Sequence, residues 1–312
     1  MKNATFRQLR VFSEVARQLS FVQAAQALHL TPPAVTMQVR ELEKHIGMPL
    51  FERSGRQVAL TTVGEYMLVY ARKMLSTLKD AEDAAARLQK LEVGTLTIGM
   101  VSTAKYFLPY LLAEWRKAHE GIDVKLVVGN REQLVEMLLG SEVDVAIMGQ
   151  PPKDMAVRAE PFAAQPHVFV APVNHPLVKQ RNLPIEALSG ESFIVRENGS
   201  GTRAALERFL DSQQVKLNVS MELSSNEIIK HAVMAGLGLS FLSLHTVGME
   251  LESRLISVLD VDGAPVVRGW NVVHMLSKLL SPAAEAFRYF VLENGETYLA
   301  QHFAKHMPLP VQ

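Results

Sequence analysis

At 312 residues, 48% of them hydrophobic and 21% charged, the chain is long enough for two or three globular units and falls outside the disordered and collagen-like classes. The absence of cysteine removes disulfides, thiol nucleophiles and Cys-based zinc or iron–sulfur sites, and suits a reducing compartment. The 32 Lys and Arg balance 32 Asp and Glu, yet residues 1–64 hold eight basic side chains (Lys2, Arg7, Arg10, Arg17, Arg40, Lys44, Arg53, Arg56) against four acidic ones (Glu14, Glu41, Glu43, Glu52), a net +4 that leaves −4 for the rest and points to a polyanionic partner for the first segment alone.

In the opening residues, charge interrupts the apolar positions every few steps, so no signal-peptide core is seen. The most apolar stretch, 233–244, is 12 residues with two glycines, short of a membrane span. A cytoplasmic protein with no membrane partner is expected. Three helix starts come early, each with a side-chain cap for the unpaired first-turn N–H groups: Thr5 with Gln8, Ser20 with Gln23, and Thr31 followed by Pro32 at the first helical position. Val35, Val39, Leu42 and Ile46 give the third helix an inward stripe. The short link between helices two and three predicts a helix-turn-helix corner, and 48–60, two apolar runs around Ser54 and Gly55, predicts a β-hairpin wing.

Thr62 with Glu65 predicts another capping box, opening a helix over 65–93 without Gly or Pro. Met67, Met74, Ala81 and Leu88 recur every seven residues, and Tyr70, Thr77, Ala84 and Leu91 repeat the spacing three positions later. That register predicts a dimerising helix, the plainer reading being a linker packed on its own protein. From Gly94 strands and helices alternate in βαβαβ order through 145–148, and a second set runs from 167 to 243, followed by a strand at 270–276 and a helix over 282–306. Two α/β lobes with ligand space between them are expected. The predicted domains are 1–60, 61–93 and 94–312, the last divided into lobe one (94–163 with 268–306) and lobe two (164–267).

The run from Thr31 to Leu68, TPPAVTMQVRELEKHIGMPLFERSGRQVALTTVGEYML, resembles the LysR-type transcriptional regulators in order and spacing, and the resemblance covers the whole chain. It implies a winged helix-turn-helix, a dimerising linker helix, and a two-lobed effector domain similar to periplasmic binding proteins, assembled as a dimer of dimers. The segments at 100–115, 130–152, 196–203 and 270–287 resemble the CbbR-type regulators of Calvin-cycle genes. This implies an activator that meets double-stranded DNA, a small anionic metabolite (a phosphorylated intermediate or NADPH) and RNA polymerase, with no bound cofactor.

On the third helix, Pro33, Met37, Arg40 and Lys44 face outward, with Ala34 and Thr36 at the flanks. Its N-terminal half would enter the major groove. Thr31, Thr36 and Arg40 can donate to phosphates or base edges, and Pro33, Ala34 and Met37 offer apolar contact to thymine methyls. The family usually has Gln where this chain has Pro32 and often Arg where it has Met37, which shifts specificity toward wing residues Arg53 and Arg56 and toward DNA bending.

For the effector, 198–203 reads Asn-Gly-Ser-Gly-Thr-Arg before a helix, so backbone N–H groups near Gly201, with Thr202 and Arg203, could hold an anion. Ser102 and Thr103 end a strand, Asn130 and Gln150 follow two more, and Asn226 stands at a helix start. Singly each reads as a cap; together they would ring one cleft. Enzyme signatures such as HExxH or GxSxG are absent, and a solute-binding protein competes only through the bilobed half. His302 and His306, four apart, lack a third metal ligand in sequence, so no metal is expected.

Overall fold

The computed structural model describes residues 4–54, 57–88 and 94–303, the side chains at 53, 54, 57, 80 and 83–88 excepted. The chain divides into two compact units, the first ending with a long helix and the second starting at the strand that follows.

In the first unit, α1 (Phe6–Gln18), α2 (Phe21–Ala27) and α3 (Pro32–Ile46) start where the caps predict. Thr5 Oγ1 accepts from Gln8 N at 3.2 Å while Gln8 Oε1 accepts from Thr5 N at 2.9 Å, a reciprocal box. Ser20 and Thr31 accept from Gln23 N and Ala34 N. The wing is β1 (Phe51–Ser54) paired antiparallel with β2 (Gln57–Leu60). Glu43 Oε1 accepts from Leu50 N and Phe51 N, which ties the wing's root to α3. Phe51 meets Phe12 and Phe21 edge-on at 5.5 and 5.6 Å, closing the α1–α2–α3 core onto the wing.

The long helix α4 (Thr62–Leu88) departs from expectation twice. Its cap is Thr61, whose Oγ1 accepts from Gly64 N at 3.0 Å, so the third helical position is Gly64 and no capping box with Glu65 forms. Gly64 is required there, because a Cβ would overlap the Leu50 carbonyl oxygen. The heptad stripe is also divided: Met67 and Met74 pack with Leu68 and Ala71 on the core that holds Leu9, Phe12 and Ala16, whereas Tyr70 and Ala81 face outward. The expected single a/d seam therefore gives its a positions to this unit's own core, at least through Met74.

The second unit opens with β3 (Gly94–Val101), α5 (Leu108–Arg116), β4 (Ile122–Gly129), α6 (Arg131–Leu139) and β5 (Val145–Met148), and β3 pairs parallel with both β4 and β5. Then come β6 (Val157–Pro172), β7 (Ser192–Arg196), α7 (Gly201–Gln213), β8 (Asn218–Leu223), α8 (Asn226–Met234), β9 (Leu239–Ser243), α9 (Gly248–Glu252), β10 (Ile256–Val258), β11 (Val266–Met275) and α10 (Pro282–Phe303). One sheet runs in the order β4-β3-β5-β11-β6-β9-β7-β8, with β10 on β6. Lobe one buries Ile98, Trp115, Trp270 and Phe287; lobe two buries Phe169, Phe193 and Phe241 on one face of its strands and Ile194, Ile229 and Leu242 on the other.

The two lobes share one sheet through the crossing strands β6 and β11. Both expected breaks, 163/164 and 267/268, fall inside paired strands, with Ala164 opposite Gly269 and Gln165 opposite Arg268. Strand β6 starts ten residues before the predicted 167 because Pro161 and Pro166 disguise it. Pro161 sits at the register shift between Trp270 and Asn271, where a ladder tolerates a residue without an N–H.

Candidate functional site

The first unit presents α3 with Val35, Val39 and Leu42 buried and Thr31, Pro32, Pro33, Met37, Arg40 and Lys44 exposed; Ala34 and Thr36 are half-buried. The predicted outward face is thus the observed one. Thr36, offered above as a donor, donates instead to Pro32 O at 3.0 Å and keeps only acceptor capacity. Thr31 accepts its capping bond and retains its own O–H for a phosphate. Arg56 and the Arg53 side chain lie outside the described residues, as do Leu91 and the Leu88 side chain.

In the second unit, a cleft opens where the parallel strands of each lobe end and the crossing pair β6–β11 passes between them. Lobe one brings Ser102 and Thr103 after β3, Asn130 after β4, and Gly149 and Gln150 after β5. Lobe two brings Arg196 from the end of β7, and Ser200, Gly201 and Thr202 from the start of α7. Gln165, His167 and Arg268 come from the crossing strands. The free volume is about 20 Å³, room for a water rather than a metabolite, so the lobes stand close together.

Three guanidinium groups line the cleft, and they are not equivalent: Arg131 donates to the Gln150 carbonyl oxygen at 3.2 Å. Buried Arg196 is neutralised by the Glu197 carboxylate at 2.7 and 2.9 Å and also donates to Asn226 Oδ1 at 2.8 Å and Ser102 Oγ at 3.2 Å, tying lobe two to lobe one. Among the described residues Arg268 has only neutral acceptors: Gly201 O at 2.8 Å, Gln150 Oε1 at 3.0 Å and Gly149 O at 3.3 Å. Burial first, then repulsion from Arg208 and Arg131, pulls its pKa down to about 10, so it stays charged at neutral pH without a counter-ion among the described residues. Burial and the adjacent Arg268 charge push His167 down to about 3, making it a neutral wall stacked on Phe241. Gln165 Oε1 is buried with no hydrogen-bond partner.

Of the predicted effector residues, Ser102, Thr103, Asn130, Gln150, Gly201 and Thr202 come together. Asn130 is also the cap of α6, exchanging hydrogen bonds with Gln133. Asn226 is not a cap; Ser225 is, which frees the Asn226 amide to stand behind Arg196 and donate to Ser102. Arg203 is a correction. It turns away from the cleft to Glu207 at 2.5 Å and Glu222 at 3.4 Å, because one helical step past Thr202 points its side chain to the flank of α7. Sequence reading missed Arg196, Arg268, Gln165 and His167. Each lies in a strand whose partner brings it to the cleft, and only the run of charge at Arg196 beside Glu197 marked one of them.

His302 stacks on Tyr298, His306 lies outside the described residues, and no group of three metal-type ligands occurs among the described residues. No described helix is long and apolar enough to cross a membrane.

Residues 6–65 match the bacterial regulatory helix-turn-helix proteins of the lysR family, and 89–296 match the LysR substrate binding domain. The chain is 45% identical over 308 residues to the transcriptional regulator CfxR of Cupriavidus necator, covering 99% of this chain and 97% of that protein. It is 46% identical over 293 residues to a RuBisCO operon transcriptional regulator of Allochromatium vinosum, covering 94% and 97%. Among solved structures, the regulatory domain of Synechocystis CcmR in complex with 2-PG superposes with a TM-score of 0.62 at 38% identity, covering 64% of this chain and 96% of that one. With a winged helix ahead of a bilobed cleft, and relatives matched end to end, the chain belongs to the LysR family of DNA-binding transcriptional regulators, in the CbbR-like group that regulates carbon-fixation operons.

Proposed function

We propose that the cleft holds a small phosphorylated acid whose anionic end lies against Arg268, and that its occupancy sets the activity of this regulator as an activator of carbon-fixation genes. The observation that carries this is Arg268 itself: a partly buried cation with three neutral acceptors and no carboxylate partner among the described residues leaves one negative charge to be supplied from outside. The start of α7 adds N–H groups at Gly201 and Thr202, which favour an anion in the same place. The 2-PG bound by the Synechocystis relative is in keeping with this choice; a larger anion such as NADPH would need a wider opening. No resident cofactor is invoked.

Because Arg268 sits on a crossing strand, an anion there acts at the point where the lobes turn on each other. Entry has to loosen the Arg196–Ser102 contact, so the lobe angle and effector binding are linked. In a homotetramer that angle would reset the spacing of the DNA-binding pairs, and with it contact to RNA polymerase. Calorimetry of the full chain with 2-phosphoglycolate is the test. Arg268→Ala should weaken binding by about 10–100-fold, the value of one charge-assisted bond, while operator binding persists. Wild-type affinity in Arg268→Ala would place the anion elsewhere.

A further inference from the structure

The described residues that line the cleft include three arginines and no carboxylate. Glu197 balances Arg196, which leaves Arg268 and Arg131 without a carboxylate partner among the described residues. Arg131, the first residue of α6 in lobe one, is held in place by the bond from its Nε to the Gln150 carbonyl oxygen at 3.2 Å. The side chain of the same Gln150 accepts from Arg268 Nη2 at 3.0 Å. One residue after β5 therefore anchors both guanidinium groups, and after burial the charges of Arg208 and Arg131 are what lower the Arg268 pKa. Their spare donors differ. Arg268 Nη1 and Nη2 already serve three carbonyl oxygens, whereas both Nη groups of Arg131 have no acceptor among the described residues. Glu132, next in the chain, is exposed and forms no ion pair among the described residues; it stands against Gly199, where a Cβ would come within 2.6 Å of its Oε2.

We propose that Arg131 is the second anchor of the cleft, and that the effector carries two separate anionic groups: a phosphate on Arg268 and the start of α7, and a carboxylate on the open fork of Arg131. This deepens the cleft reading above and rests on it. A tetrahedral phosphate takes donors from several directions, which suits the remaining N–H groups of Arg268 together with those of Gly201 and Thr202. A planar carboxylate matches the two parallel N–H donors of a guanidinium fork that nothing else occupies.

The two anchors belong to opposite walls. Helix α6 begins at the cleft from lobe one and α7 begins there from lobe two, so each wall presents the positive end of a helix dipole and one anionic group stands at each. A ligand with two charged ends ties the lobes to each other. A ligand with one leaves the Arg131 charge uncompensated when the lobes close on it, and so distinguishes less between the open and closed arrangements. Selectivity for the doubly charged ligand is then a property of Arg131, and affinity for phosphate a property of Arg268.

The experiment compares 2-phosphoglycolate with ethyl phosphate, which puts a methyl group where the first has its carboxylate, on the full chain. Calorimetry, with ligand-observed NMR for the weaker ligand, should show 2-phosphoglycolate binding about tenfold or more tightly than ethyl phosphate, the value of one charge-assisted bond. Arg131→Ala and Arg131→Gln should weaken 2-phosphoglycolate about tenfold and ethyl phosphate less than about twofold, so that the preference collapses. Arg131→Lys, which keeps the charge and loses the fork, should fall between. Arg268→Ala should weaken both ligands. Equal affinity of the two ligands for the wild-type protein would overturn the proposal. So would a preference that survives in the Arg131 variants, including loss of both ligands by one factor, which would make Arg131 a structural support for Gln150. In those cases 2-phosphoglycolate binding that still depends on Arg268 leaves the cleft reading standing; no dependence on Arg268 removes that reading and this inference together.

Discussion

The contrast between Arg203 and Arg268 shows how little residue type says without its partners. Arg203 follows a glycine-rich loop at a helix start, yet its charge is spent on Glu207 and Glu222. Arg268 follows two valines in an unremarkable strand and has no carboxylate partner among the described residues. Arg203→Ala should therefore leave 2-phosphoglycolate affinity within about twofold, since it removes exposed ion pairs worth at most about 1 kcal/mol; a tenfold loss by calorimetry would return Arg203 to the site. A steric residue gives a second prediction. Gly295 lies inside α10 where a Cβ would stand 2.5 Å from the Phe162 ring, itself buried in the lobe-one core. Replacing a mid-helix glycine with alanine ordinarily stabilises by about 0.5–1 kcal/mol. Here overpacking should reverse the sign, and Gly295→Ala should destabilise by about 1–3 kcal/mol in urea denaturation.

At the level of elements, α4 has one buried face and one exposed face. Met67 and Met74 lie on this unit's own core, while Tyr66 and Tyr70 are 70% and 60% exposed on the other face. Met74→Ala should lower the melting temperature of the first unit without altering the oligomer, whereas Tyr70→Glu should shift light scattering toward smaller species at little cost in stability. The reverse pairing of outcomes would restore Met67 and Met74 to the dimer seam. On α3, Arg40 extends beyond a buried Val39 and is free of any carboxylate partner among the described residues. A phosphate contact there predicts that Arg40→Ala weakens operator binding and reduces the slope of log affinity against log salt by about one, as a gel-shift titration at several salt concentrations would show.

For the molecule as a whole, acid should undo the effector unit before carboxylates titrate. Burial, joined at His167 by the Arg268 charge, holds His167 at about 3 and His245 at about 4, against about 6.5 for the unfolded chain. Between pH 6.5 and 4 the unfolded state thus binds protons that the native state refuses, and stability falls as pH drops, by about 1.4 kcal/mol per unit for each histidine. Urea midpoints at pH 7.5, 6.5, 5.5 and 4.5 should be level above 6.5 and descend below it; a flat profile would mean that both rings accept protons in the fold. What the sequence alone determined is whatever short-range physics controls: caps at Thr5, Ser20 and Thr31, the inward stripe of α3 and hence its outward face, and the βαβαβ order with its parallel strands. What only the tertiary structure decided depends on pairing across long separations. Gln165 meets Arg268 through strand register, Ser102 meets Arg196 through lobe approach, and the α4 stripe divides because α1 covers one side of it. Periodicity specifies that a face is apolar or that a strand exists, but not which distant surface will cover the face or neutralise the charge, because that choice is a sum over the whole packed chain.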